Sequence, residues 1–149
     1  MMRKENYIKV LFKHHAFENE SYESAWVKID NGNYILDNLL FYAKEYSLGD
    51  IISINKIGDE FFVSSLIKES GHSTLRLFIN SEDGVENVRN ELKMMGCPSE
   101  ISNLKNLISV DVPKNIDYQK IIDFLEDGEQ KGIWEYEEAC ISTNHQNRW

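Results

Sequence analysis

"SGHSTLRLFI", residues 70–79, decides how the chain divides. Leu75, Leu77 and Ile79 alternate with Thr74, Arg76 and Phe78, the period-two pattern of a strand buried on at least one side. Gly71 lets the chain turn just before it, and Ser73 or Thr74 can bond local backbone as turn residues do. Residues 70–73 are thus read as a turn that delivers a strand from Thr74 onward.

Downstream of that strand the rhythm changes. Val85, Val88, Leu92 and Met95 fall at helical spacing, Asp83 with Glu86 makes a capping-box-like start, and Gly96 offers a left-handed stop. Residues 107–112 read as a strand with Ile108, Val110 and Val112 inward and Ser109 and Asp111 outward, ended by Pro113. Tyr118, Ile121, Ile122 and Leu125 form a second helical stripe with Gly128 as its stop. Residues 134–137 alternate again, and residues 139–141 resume after Glu138, which breaks the pattern by a bulge or an inward charge. If residues 101–104 pair with 107–112, the order is β-α-β-β-α-β, a ferredoxin-like split βαβ arrangement. Both helices then bury a stripe on one face of an antiparallel sheet.

Upstream, residues 8–12, 25–29 and 33–36 read as strands. Asn31-Gly32 between the last two is a strong hairpin signal, because both residues tolerate the positive φ of a type I′ turn. The polar stretch at residues 15–24 is expected to be an exposed loop. Residues 37–50, "DNLLFYAKEYSLGD", read as a short helical turn or irregular crossover that buries Leu40, Phe41 and Tyr46. Residues 51–56 and 61–66 are two more strands, and Gly58 at the first central position between them fits a type II′ turn. The expected fold class is α+β. An antiparallel β subdomain over residues 1–70, a small SH3-like barrel or curled sheet, leads into a ferredoxin-like subdomain over 71–141 and a flexible tail over 142–149.

Twenty-five acidic residues outweigh sixteen basic ones, giving a net charge of −9. That field repels phosphate backbones and anionic lipid headgroups, so neither nucleic acid nor a membrane is an expected partner. Arg3, Lys4 and Lys13 could still form a small basic patch. The acidity serves solubility, or it steers the chain toward a basic protein partner. The N-terminus lacks the apolar core of a signal peptide, and no window approaches the ~18 apolar residues of a membrane span. A cytoplasmic setting is expected, and the sequence sets no oligomeric state.

The blocks "NYILDNLLFYAKEYSLGDII", "SGHSTLRL", "LISVDVP" and "GIWEYEEACI" carry a family likeness. Over Lys9 to Ile141 the chain resembles an uncharacterised bacterial family, the domain-of-unknown-function family 4265. The resemblance implies a small bacterial cytosolic protein and brings no catalytic residues with it. Leu39 stands where that pattern leads one to expect a proline, so the turn there is expected to differ.

The residues that suggest chemistry are few. His72 beside Ser73 could pair as base and nucleophile, but sequence neighbours rarely reach that geometry and no strained nucleophile elbow surrounds them. Cys140 is the other candidate nucleophile for His72, and a small buried hydrophobe is the plainer reading. His14 and His15 point to opposite faces of a strand and cannot hold one metal ion together. No CxxC and no glycine-rich phosphate loop is present, so neither a metal nor a cofactor is expected.

Arg76 resists a bland account, because arginine is almost never buried unpaired. Glu135, Glu137 and Glu138 on the last strand offer an internal ion pair. The alternative is that Arg76 grips a carboxylate or phosphate, with His72, Ser73 and Glu138 completing a binding corner. The leading functional expectation is a non-enzymatic protein-binding module of the immunity or antitoxin type. Phe17 and Tyr22 would serve as its aromatic anchors. A small-molecule-binding regulatory domain and a hydrolase using His72 are the alternatives.

Overall fold

Asn31 and Gly32 adopt φ of 51° and 78°, the two positive values that a type I′ hairpin demands. In the computed structural model, which describes residues 6–17 and 19–146, this turn joins β2 (Ser21–Asp30) to β3 (Asn33–Leu36). Gly58, at φ 64°, turns β4 (Ile51–Ile57) into β5 (Glu60–Lys68). With β1 (Tyr7–His14) these strands close into a barrel, antiparallel throughout except where β1 meets β5 in parallel at Leu11 and Phe62. Its interior is filled by the alternating residues Val10, Phe12, Ala25 and Val27, with Leu36, Leu40, Ala43 and Ile52.

The second half is a four-stranded antiparallel sheet. Its strands are β6 (Ser73–Ile79), β7 (Ser99–Ile101), β8 (Leu107–Val112) and β9 (Trp134–Cys140), lying in the order β7-β8-β6-β9. Helices α1 (Val85–Met94) and α2 (Tyr118–Gln130) share one core with Leu75, Leu77 and Ile79 of β6 and Ile108, Val110 and Val112 of β8. The chain is thus α+β, with its elements in the expected β-α-β-β-α-β order after residue 72.

Several expectations are corrected. β7 lies at Ser99–Ile101 rather than 101–104, because Ser102 folds its hydroxyl onto the backbone of Leu104 and turns the chain. β2 begins at Ser21, so the second part of the expected loop at 15–24 belongs to a strand. No capping box forms: a 3-10 turn at Glu82–Gly84 leads into α1, whose first turn receives no side-chain cap. Gly128 does not end α2, which runs on to Gln130; the glycine instead admits Trp134 against the helix.

Ser109 and Asp111 do not face solvent, since both are buried beneath the barrel half. The tail is not free over its first residues either. Thr143–Gln146 form a short helix, α3, with His145 buried. Residues 147–149, and Arg3 and Lys4 of the basic patch, lie outside the described residues. Among the described residues no helix is long and apolar enough to cross a membrane.

Candidate functional site: the Arg76 cleft

Alternation along β6 sends Leu75 and Leu77 to the helices, and Thr74 and Arg76 to the opposite face. That second face meets the crossover at residues 37–50, which is irregular and contains no helix. Its backbone groups cannot bond one another as in a helix, so side chains from both halves satisfy them. From the barrel, the Glu23 carboxylate accepts the N–H groups of Phe41, Tyr42 and Ala43 at 2.6, 2.9 and 3.0 Å. From the sheet, the Ser109 hydroxyl donates to the Leu40 carbonyl at 2.8 Å, and the Arg76 Nη2 donates to the carbonyl of Ala43. The hydroxyls of Ser47 and Thr74 lie 2.9 Å apart. Leu40 is buried as expected, whereas Phe41 and Tyr46 are only half-buried and line a cleft.

That cleft, about 820 Å³, opens between β1, the crossover and the sheet. Arg76 is on its wall and is 4% exposed, and its Nε has no hydrogen-bond partner. The nearest carboxylate belongs to Glu137, the cross-strand neighbour of Arg76 on β9, at 3.5 Å from Nε. Burial pulls the guanidinium below its ordinary value, and the charge of Glu137 opposes that pull. The rings of Tyr42, His14 and Phe17 cluster at the rim, with centroids 5.1 to 5.6 Å apart. Glu45, also on the cleft wall, holds φ 77°, a left-handed conformation that non-glycine residues adopt at a cost.

His14 and His15 line the cleft, whereas His72, Ser73 and Glu138, expected to complete a corner with Arg76, do not gather here. His72 bonds Asp111, Nδ1 to Oδ1, at 2.7 Å. Burial raises the Asp111 carboxyl, and the hydrogen bond from His72 offsets part of that rise. Ser73 points the other way and meets His145, Nδ1 to Oγ, at 2.6 Å. Ser73 is fully buried, so no substrate reaches this serine in the folded chain. Glu138 is exposed and accepts the Tyr118 hydroxyl at 2.8 Å. The unbroken register of β9 from Trp134 puts Glu138 opposite Leu75, on the helix face and away from Arg76, and the bulge follows it, between Glu138 and Cys140. Burial also raises the Cys140 thiol, which works against a thiolate nucleophile.

Sequence reasoning missed Glu23 and His145. A single acid in a strand and a histidine in an aperiodic tail give no local signal. Among the described residues no group of three or more histidine, cysteine or acidic side chains is placed to hold a metal ion.

These features define an α+β protein in which a closed barrel and a helix-backed sheet grip an irregular crossover, leaving a cleft over a buried arginine. The chain belongs to the family described as "Domain of unknown function (DUF4265)", which it matches over residues 23–136. It is also similar to a solved structure titled "Novel crystal structure of a hypothetical protein from Neisseria gonorrhoeae". The two are 21% identical with a TM-score of 0.77, over 95% of this chain and 99% of that one, a likeness of fold. No protein with a curated description matches the chain.

Proposed function

We propose that this protein is a non-enzymatic binding module that captures an anionic small molecule at Arg76. One observation carries the reading: a guanidinium that is 4% exposed, with an unpartnered Nε, on the wall of an 820 Å³ cleft. An incompletely paired buried charge is costly, and it persists where a ligand completes it. The planar fork of arginine suits carboxylate or phosphate oxygens, and small-molecule sites span roughly 300–1,000 Å³. The commitment of Ser73 to a buried latch supports a non-enzymatic role.

A thermal-shift screen with acetate, aromatic carboxylates and inorganic phosphate tests it. A ligand at one hundred times its Kd adds about 2.7 kcal/mol of stability. A response that vanishes in Arg76→Met supports the reading, and a flat response across all three classes discards it.

A second reading, an immunity-type module for a basic protein, draws on an acidic cleft and on exposed aromatic rings. A cleft of about 560 Å³ is lined by Glu23, Asp37, Glu100 and Asp111 with no lysine or arginine. Phe17 and Tyr22 stand 55% and 48% exposed, as aromatic anchors would. Failure to recover a specific partner by affinity capture at low salt counts against it.

The finer architecture belongs to the same proposal. The strand order β7-β8-β6-β9 with both helices on one face supports a ferredoxin-like subdomain over residues 71–141. The five-stranded closure supports an SH3-like barrel over residues 1–70.

A further inference from the structure

We infer that the ligand of this cleft is a monocarboxylate carried on an aromatic ring, and that it binds by displacing Glu137 from Arg76. The inference rests on the reading of the cleft as an anion site and specifies what that site takes.

Glu137 already occupies the position a ligand carboxylate would fill. Its Oε1 lies 3.5 Å from Arg76 Nε, outside hydrogen-bond geometry, and the Nε stays unpartnered. Its Oε2 lies 3.4 Å from the Lys44 ammonium. Both of these side chains reach solvent, at 46% and 61% exposure, whereas the guanidinium beneath them is shut off. A carboxylate in good geometry would gain the charge-assisted hydrogen bond that Glu137 fails to make. Glu137 can swing outward with Lys44 at little cost, since an exposed ion pair is worth little.

The charge on the walls selects a monoanion. With Glu137 and Lys44 swung outward, Lys13 and Arg76 face the cleft against Glu45, an excess of one positive charge. Glu20, which pairs with Lys13 at 3.0 Å, lies outside the cleft lining, and both side chains of that pair are about half exposed and so screened by solvent. One carboxylate balances the cleft, whereas a phosphate dianion leaves a negative charge uncompensated beside Glu45.

The remaining walls select the body of the ligand. Phe41, Tyr42 and Tyr46 line the cleft with Val63 and Leu107. Tyr42 already stacks obliquely with His14 and Phe17, at 5.3 and 5.1 Å between centroids. An aromatic ring attached to the carboxylate extends that cluster in the offset or edge-on manner that such rings prefer.

The test titrates the full chain, by calorimetry or amide chemical shifts, with 3-phenylpropionate, 3-phenylpropanamide, acetate and inorganic phosphate. Phenylpropionate is expected to bind, with the neutral amide and acetate each at least about tenfold weaker. Glu137→Gln, a change on an exposed side chain that keeps its shape, is expected to tighten phenylpropionate about fivefold by removing the competing charge. This variant carries the test even if Arg76→Met fails to fold. Phosphate binding as tightly as phenylpropionate, or an unchanged affinity in Glu137→Gln, overturns this inference and leaves the anion site standing. If no anion of the set binds either protein, the anion site falls with it.

Discussion

The Ser73 hydroxyl lies 2.6 Å from Nδ1 of His145, 72 residues further along the chain. The spacing is that of a serine–histidine catalytic pair, but its surroundings make it a latch. His145 Nε2 faces the Pro113 carbonyl at 3.1 Å and so carries the proton, leaving Nδ1 to accept from Ser73. Ser73 in turn accepts the Ser142 N–H at 2.8 Å, and the imidazole stacks on Tyr118 with centroids 4.9 Å apart. Helix α3 is thereby fastened to the start of β6.

This latch gives stability a histidine-dependent slope with pH. Burial holds His145 below its ordinary 6.5, so in the folded chain it stays neutral where the unfolded chain takes a proton. The unfolded state therefore binds more protons below about pH 6.5, and stability falls as pH falls through that value. Asp50 and Asp111, both raised by burial, act with the opposite sign at lower pH. The comparison of wild type with His145→Gln isolates the histidine. Urea midpoints of the wild type should decline from pH 7.5 to 5.5 more steeply than those of the variant. Parallel declines would show that the latch does not titrate.

Glu23 is expected to matter more than its place on a strand suggests. Its carboxylate accepts three consecutive backbone N–H groups of the crossover, and Glu23→Ala leaves all three without this acceptor. The expected cost is about 2–3 kcal/mol, with Glu23→Gln losing less because one amide oxygen remains. Urea denaturation reads this as a lower midpoint at unchanged slope. A cost below about 0.5 kcal/mol, the range of ordinary surface changes, would show that the crossover holds without it.

What the sequence discloses and what it conceals follow from one distinction. Local period is visible: the alternation in residues 74–79 and the stripe through Tyr118, Ile121, Ile122 and Leu125 lead directly to β6 and α2. Arg76 also stands out, because a charge inside an apolar alternation asks for a partner. Polar residues that serve another segment's backbone leave no such trace. Ser109 and Asp111 read as solvent-facing because they alternate with valines, yet the crossover and the barrel cover them. Residues 37–50 have no period of their own, so neither their acceptor Glu23 nor the cleft they border is legible in advance. His145 is hidden for the same reason, since a four-residue helix is too short to show a stripe.

Cys97 should be chemically silent in the folded protein. It is fully buried, and burial with the nearby Asp111 charge pushes its thiol up to about 12. At pH 8 only about one in ten thousand such groups is a thiolate, the form that alkylating agents attack. Iodoacetamide labelling followed by peptide mass mapping should leave Cys97 unmodified natively and modify it fully in urea. Native labelling of Cys97 as fast as of the half-buried Cys140 would show that Cys97 is not sealed in the core between the sheet and its helices.

Gly128→Ala sets two effects of opposite sign against each other. Alanine is favoured over glycine inside a helix by about 1 kcal/mol, so at an open position the change would stabilise α2. At Gly128 an added Cβ falls 2.0 Å from Cζ2 of Trp134 and 2.3 Å from its Cε2. The ring cannot yield freely, because it is buried and its Nε1–H donates to the Leu125 carbonyl at 2.8 Å. Overpacking of this kind costs about 1–3 kcal/mol, and here the upper end applies because the clash is with a whole ring face. The net expectation is a loss of about 2 kcal/mol, read as a fall of roughly 4–8 °C in Tm. A rise in Tm would mean that Trp134 does not pack against the helix at Gly128, and that the end of α2 is looser than its contacts with β9 imply.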